Sequence, residues 1–282
     1  MTGPSTSRAL LRPRPLDSAL RWTGLAVLVV VVAGPVYLTV ATALLTPADI
    51  AAGRLLPDPR HLTLANVREA LASIPLGRQY LTSVAVTAIQ ATCQVVLGAM
   101  AAYALVFPAW KGRRLVFALL IGTLAIPGET TVLPNYELVS GLGLRDTVIA
   151  VALPFLAAAY PVFLLRQAFS DLPREVWEAA SLDGAGHLRT LVSVILPMAR
   201  PQLVTAALWS ALAAWNGYFW PLLITDSPQN RTVQVGLAQL VASESSTPGV
   251  VYAGTLLVLA PTLLLVLLGQ RFLVNGLAAR SS

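Results

Sequence analysis

Charge is scarce in this chain. Of its 282 residues, 11% are Asp, Glu, Lys or Arg, whereas a soluble globular domain carries about a quarter. The deficit excludes an ordinary cytosolic enzyme. Disorder is excluded as well, because it requires low hydrophobicity, and 56% of this chain is hydrophobic. Cysteine occurs once, at Cys93, which rules out a disulfide scaffold and a thiolate metal site. Two histidines, His61 and His187, are too few for a multi-His metal centre. The only lysine, Lys111, is followed by Gly112 in a short loop, so the Gly-rich, Lys-terminated loop that cradles nucleotide phosphates is missing. No nucleophile–base–orienter set can be assembled either. Neither a catalytic residue nor a metal ligand is expected, and no cofactor in this chain.

What is present is long apolar sequence. Residues 22–48, 79–110, 147–165, 201–225 and 245–270 carry no charge, and a shorter gap spans 115–128. A membrane helix needs about 20 mostly apolar residues. Six spans are predicted, at about 22–45, 80–107, 115–135, 147–169, 200–224 and 250–274. The first follows a basic leader and ends near an Ala41-Thr-Ala43 triplet that resembles a cleavage site. Its apolar run exceeds the 7–15 residues typical of a signal peptide, so it reads as a retained anchor. The organisation expected is a segment 1–21, a six-span domain 22–277 and a short tail 278–282.

The net charge of +6 has a membrane explanation. With the N-terminus inside, thirteen of the 19 Lys and Arg fall in inner segments and six in outer loops. Basic excess marks the cytoplasmic side, so both termini are expected in the cytoplasm and no nucleic acid partner is expected. The Arg54, Arg60, Arg68 and Arg78 of the first outer loop weaken the bias without reversing it.

The most informative segment outside the spans is the inner stretch 170–199. Asp171 suits a helix N-cap, Pro173 the first turn, and Glu175 the positive end of the helix. Leu172, Val176, Ala179 and Ala180 recur at helical spacing and make one apolar stripe. Gly184 suits the left-handed residue that ends a helix. A second helix is expected near His187, itself read as a surface residue, with Pro197 and Pro201 marking entry to the next span. Taken alone, such a helix could simply lie at the membrane interface.

The string Glu178-Ala-Ala-Ser-Leu-Asp-Gly184-Ala, with Ile195-Leu-Pro197 further on, resembles the EAA loop of permease subunits in binding-protein-dependent ABC importers. The likeness extends along the chain to the maltose-type carbohydrate permeases, in particular the smaller six-span partner of the pair. It is carried by Ala101-Ala-Tyr-Ala-Leu, Lys111-Gly-Arg-Arg114, Ile126-Pro127, Leu133-Pro-Asn-Tyr136 and Leu142-Gly-Leu-Arg-Asp-Thr147. Phe163-Leu-Leu-Arg-Gln-Ala-Phe169, Trp215-Asn-Gly-Tyr-Phe-Trp-Pro-Leu222 and Gln270-Arg-Phe-Leu-Val-Asn-Gly276 continue it. Three departures stand out: Gly217 replaces the family's usual Asp, Thr82 stands where an Asn precedes Ser83, and the family's Gly-rich basic tail after Gly276 is missing.

The resemblance implies an all-α membrane protein of the type I ABC importer permease fold, with six transmembrane helices and a cytoplasmic coupling helix. It implies a second permease subunit, two ATPase subunits (or a homodimer) that hold ATP and Mg, and an external solute-binding protein that delivers a carbohydrate. Glu178, Ala179, Ala180, Asp183 and Gly184 would make the ATPase contact, with the apolar stripe buried against that partner. Polar residues within spans tend to face protein or water. Asn135, Tyr136, Asn216 and Tyr218 are the candidates for the translocation path. Gln90 and Thr92 read as interhelical hydrogen bonds, Trp215 and Trp220 equally as an aromatic belt, and Glu129 as a carboxylate at the outer mouth. A permease for glycerol phosphate or another small polar solute is the alternative. An autonomous secondary transporter would show inverted repeats or membrane carboxylates, which the sequence does not supply.

Overall fold

Proline and glycine break three of the six apolar runs, and the breaks shape the molecule. The computed structural model describes residues 15–54, 61–244 and 246–278. The ends of the predicted terminal segments, 1–14 and 279–282, and Arg60 of the first outer loop lie outside the described residues. The described residues form helices joined by turns and loops, with no strand among them. In order the helices are α1 (Pro15–Leu44), α2 (Pro47–Ala51), α3 (Ala65–Ser73), α4 (Leu76–Val106), α5 (Arg113–Gly122), α6 (Val132–Gly141), α7 (Val148–Ala152) and α8 (Ala159–Ser170). They continue with α9 (Arg174–Leu182), α10 (His187–Thr190), α11 (Leu196–Met198), α12 (Arg200–Trp215), α13 (Phe219–Ile224), α14 (Val233–Ala242) and α15 (Pro248–Ala278). A π-helical turn, Leu191–Ile195, joins α10 to α11.

Three helices are long and apolar enough to cross a membrane unbroken: Arg21–Leu44, Leu76–Val106 and Pro248–Leu267. The other predicted spans are broken. Arg113–Ala125 and Gly128–Gly141 meet at 99°, and Val148–Phe155 and Ala159–Ser170 at 48°. The first break falls at Ile126-Pro127, where proline forces the preceding residue out of the helical region and Ile126 is extended (ψ 119°). The run expected as one span over 200–224 ends at Trp215, and a separate α13 follows after Asn216 and Gly217. At its other end α12 meets His187–Met198 at 89° beside Pro201.

Each break opens backbone groups that lipid cannot satisfy. The central helix α4 supplies many of the partners. Gln90 Nε2 donates to the Val151 carbonyl (3.2 Å) at the end of α7, and Gln94 Nε2 to that of Phe155 (2.7 Å) between α7 and α8. Pro261 inside α15 has no N–H for the Leu257 carbonyl four residues earlier, and the Tyr80 hydroxyl donates to that oxygen. Ser83 Oγ accepts from the Val233 N–H (2.9 Å), the first of α14, where Thr232 makes no side-chain cap. The interhelical bond expected of Gln90 is therefore present. Thr92 is exposed.

Apolar packing follows the same post. At the α9 end, Ala99, Ala102, Tyr103 and Phe107 of α4 and the residue after it pack with Leu165 and Phe169 of α8, and with Leu191 and Ile195. Toward the other end, Val86 joins Val139, Val151, Trp220 and Ile224. Helix α1 lies at the side of the bundle against α15 and α3. Most of its large apolar side chains, from Trp22 to Leu38, are exposed, as lipid-facing residues should be.

The loop before α7 is pinned to the loop after α13 by Asp146, the only described non-glycine residue with positive φ (58°). Its Oδ1 accepts from the amides of Asp226 (3.0 Å) and Ser227 (3.1 Å), and its Oδ2 from Ser227 Oγ (2.6 Å). Burial pushes the Asp146 carboxyl up, but the hydrogen bonds from Ser227 and Asp226 outweigh it, and its pKa lies below the ordinary 3.8. A depressed carboxylate contributes stability that is complete above the unfolded value and is lost as pH falls through the folded one. Asp146→Ala should therefore lower stability by about 1–3 kcal/mol. Asp146→Asn, which tolerates the left-handed backbone, should cost less and should lose the acid dependence below pH 3.8. Thermal unfolding of the purified chain across pH checks both; an unchanged midpoint in Asp146→Ala would remove the clamp from the account.

Candidate functional site

Two places combine exposed function-bearing residues with a built support. The first is the 170–199 segment. Asp171 closes α8 rather than opening α9, because the chain turns through Leu172 before Pro173 takes the N-cap position, without a side-chain cap bond. Helix α9 ends in a paired-bond turn: Gly184 N–H bonds to the Ser181 carbonyl (3.1 Å) and Ala185 N–H to that of Ala180 (3.0 Å). This geometry requires a left-handed residue after the cap, and Gly184 has φ 73°.

The apolar stripe does not face outward as expected. Leu172 and Trp177 pack against the chain's own core, and Val176 and Ala180 are half-buried. Trp177 stacks on Phe107 (6.1 Å between centroids, 20° between planes) and donates Nε1–H to the Tyr103 hydroxyl (3.0 Å). The same hydroxyl lies 3.2 Å from Nδ1 of His187, which is exposed, as expected of a surface residue. The physical reason is the indole: an aromatic ring at position 177 has more area to bury than the alanines beside it. What α9 and its closing turn leave outward is Glu178, Ala179, Leu182 (89% exposed), Asp183 and Gly184, and α10 adds Leu188, 68% exposed. Glu178 pairs loosely with Arg174 (3.9 Å), with both side chains more than half exposed. Such a pair is worth about 0–1 kcal/mol.

The second place is a cavity of about 330 Å³ between α4, the α7–α8 break and the α12–α13 break. Its walls include Gln90, Gln94, Phe155, Trp209, Tyr218 and Trp220, with Glu129 at the turn after Pro127. Gln94 Oε1 is buried without a hydrogen-bond partner, and Trp209 stacks against Tyr160 at 4.2 Å. No Lys or Arg lines this cavity, and Glu129 is its one carboxylate. Gly217, where the resemblance leads one to expect Asp, also lines it.

Of the four candidate path residues, only Tyr218 lines the cavity. Asn216 ends α12, where its Nδ2 donates to the Leu212 carbonyl (2.8 Å) and its Oδ1 accepts from Gln234 (3.3 Å). Tyr136 packs on the core near Val139 and has Arg145 over its ring (5.3 Å). Asn135, one residue earlier on α6, is half-buried away from the cavity walls. Sequence reasoning missed Gln94, Phe155 and Trp209 as wall residues, and Tyr103 and Trp177 as the support of α9. One signal was available for α4: Gln79, Ser83, Gln90 and Gln94 lie on one 3.6-residue face of an otherwise apolar helix.

Comparison with known proteins agrees with the geometry. Residues 94–275 match the family of binding-protein-dependent transport system inner membrane components. The sn-glycerol-3-phosphate transport system permease protein UgpE of Brucella suis biovar 1 is 30% identical over 277 residues, covering 95% of this chain and 98% of that protein. Its counterpart from Agrobacterium fabrum is 31% identical with the same coverage. In fold, the chain is similar to a bacterial ABC transporter involved in the import of the acidic polysaccharide alginate (TM-score 0.80, 23% identity, 95% of this chain and 99% of that one). The chain belongs to the binding-protein-dependent transport system inner membrane components, the multi-pass permease subunits of ABC importers.

Proposed function

We propose that this subunit forms, with a second permease, the path for an uncharged carbohydrate delivered by an external solute-binding protein. The observation that supports the substrate class is the wall chemistry of the central cavity. Aromatic rings at Phe155, Trp209 and Tyr218 suit the apolar faces of a sugar ring. The unpartnered Gln94 Oε1 is an acceptor for a hydroxyl. The relatives named for sn-glycerol 3-phosphate suggest a phosphate ester instead. An anion entering this cavity would meet Glu129 and no cation, which costs heavily in a low-dielectric site.

In this reading two ATPase subunits, or one homodimer, bind ATP and Mg on the cytoplasmic side, and α9 docks in one of them. The outward face of Glu178, Ala179, Leu182, Asp183 and Gly184 makes the contact, while Trp177 and Tyr103 transmit its displacement to α4. Both termini are cytoplasmic.

Three outcomes are expected. Single cysteines at Ser73 and Gln229, in a chain with Cys93 replaced, should react with an impermeant thiol reagent in intact cells, and those at Ser181 and Arg189 should not. Labelling at Ser181 would invert the topology.

In proteoliposomes holding the assembled transporter and its binding protein, Tyr218→Ala should slow sugar uptake about threefold to tenfold through the lost ring contact, while Tyr218→Phe stays near wild type. Faster uptake of sn-glycerol 3-phosphate than of any neutral sugar would sink the carbohydrate reading.

Gly184→Val should leave membrane abundance unchanged, loosen the ATPase on co-purification and abolish uptake. A Cβ at Gly184 meets nothing within 4 Å, so the strain is in the left-handed backbone, about 1–2 kcal/mol, and the obstruction is at the docking surface. Wild-type transport by Gly184→Val at normal abundance would remove the coupling role.

A further inference from the structure

Four arginines from three separate segments converge on one cavity that neither the coupling face nor the central path uses. Arg113 and Arg114 open α5, Arg166 lies in the last turns of α8, and Arg174 opens α9. The cavity is about 320 Å³, and no Asp or Glu lines it. Glu178 meets Arg174 at 3.9 Å from the solvent side, across a loose and exposed pair. Three of the four guanidinium groups are held in place by the protein itself. Arg113 Nη1 reaches the carbonyls of Val106 (3.4 Å) and Pro108 (3.5 Å), and Arg174 Nη2 that of Phe107 (3.4 Å). Arg166 Cζ lies over the Phe117 ring, 3.9 Å from its centroid, and Arg166 Nε is buried without a hydrogen-bond partner.

Four like charges around one void repel each other unless an anion joins them. Arginine forks match the oxygens of a phosphate in pairs, and a point charge would not need this geometry. The place of the cavity narrows the source of that phosphate. Immediately beyond Arg113 and Arg114, α5 presents exposed Leu115, Val116 and Leu119, which is a lipid-facing surface beginning at a ring of positive charge. Basic pockets at the ends of membrane helices take lipid head groups by this combination. We propose that this cavity is a phosphate-binding site occupied by the head group of an anionic phospholipid, clamping the start of α5 and α9 to the end of α8.

The test is native mass spectrometry of the purified full chain, released from detergent with phosphatidylglycerol or phosphatidylcholine. Wild type should retain phosphatidylglycerol in preference, and Arg114→Gln/Arg174→Gln should lose that preference by about tenfold or more. Arg114→Lys/Arg174→Lys should keep part of it. Arg114 is exposed, so Arg114→Gln alone serves if the double variant fails to fold. Equal retention by wild type and the Gln variants overturns the site. Displacement of the lipid by excess inorganic phosphate overturns the lipid source and leaves a soluble-anion site. Retention of the lipid in the complex with the ATPase supports the proposal, whereas its expulsion on assembly assigns the cavity to an acidic group of the partner and overturns it.

Discussion

Backbone polar groups inside a bilayer must find partners within the protein, and this chain opens several of them on purpose. Its helices break at Pro127, after Ala152 and at Asn216, and α15 carries Pro261. One face of α4 answers much of this demand: Tyr80 for the Leu257 carbonyl, Ser83 for the first N–H of α14, Gln90 for the Val151 carbonyl at the end of α7, and Gln94 for the Phe155 carbonyl after it. Trp220 adds a bond to the Ala150 carbonyl from the opposite wall (3.2 Å). Without these partners each opened group would cost several kcal/mol on the scale of about 2–7 for an unmatched amide. The broken helices exist because α4 is polar where it faces them.

The same breaks make the cavity. A continuous helix presents side chains and hides its backbone, and close-packed helices leave little space. Interrupting α7–α8 and α12–α13 at one level of the bundle leaves room lined by Phe155, Trp209, Tyr218 and Gly217. Irregular backbone at membrane depth is tolerated where it is buried in protein or lines such a space. Charge is then sorted by location. The central cavity holds one carboxylate and no cation, and the cavity beside α9 holds four arginines and no carboxylate among its walls.

Helix α9 reads differently once Trp177 is in place. An amphipathic surface helix is expected to offer its apolar face to a partner, but here the larger apolar area is already spent on Phe107, Tyr103 and the core of the same chain. That seat fixes the angle of the helix and leaves Leu182, Leu188 and the Gly184 turn at the surface. A stacked indole and a shared hydroxyl hold the helix to α4, the attachment on which the proposed coupling role rests.

Much of this was legible in the sequence alone. Charge-free runs marked the three long apolar helices, Arg21–Leu44, Leu76–Val106 and Pro248–Leu267, because transfer of a charge into lipid dominates every other term. Pro127-Gly128 and the Gly184 turn were readable because proline and glycine act through their own backbone, whatever surrounds them. The 178–185 string identified the family region later matched over residues 94–275. The tertiary structure decided the rest. Whether Asn216 caps a helix while Tyr218 lines a cavity depends on the turn at Gly217, and two residues of spacing cannot say which way each points. That Gln94 would answer the Phe155 carbonyl, or that Arg113, Arg166 and Arg174 would share one void, depends on contacts between segments some 60 residues apart in the chain. Local sequence carries backbone preference and burial; it does not carry the partner across the bundle, which packing alone selects.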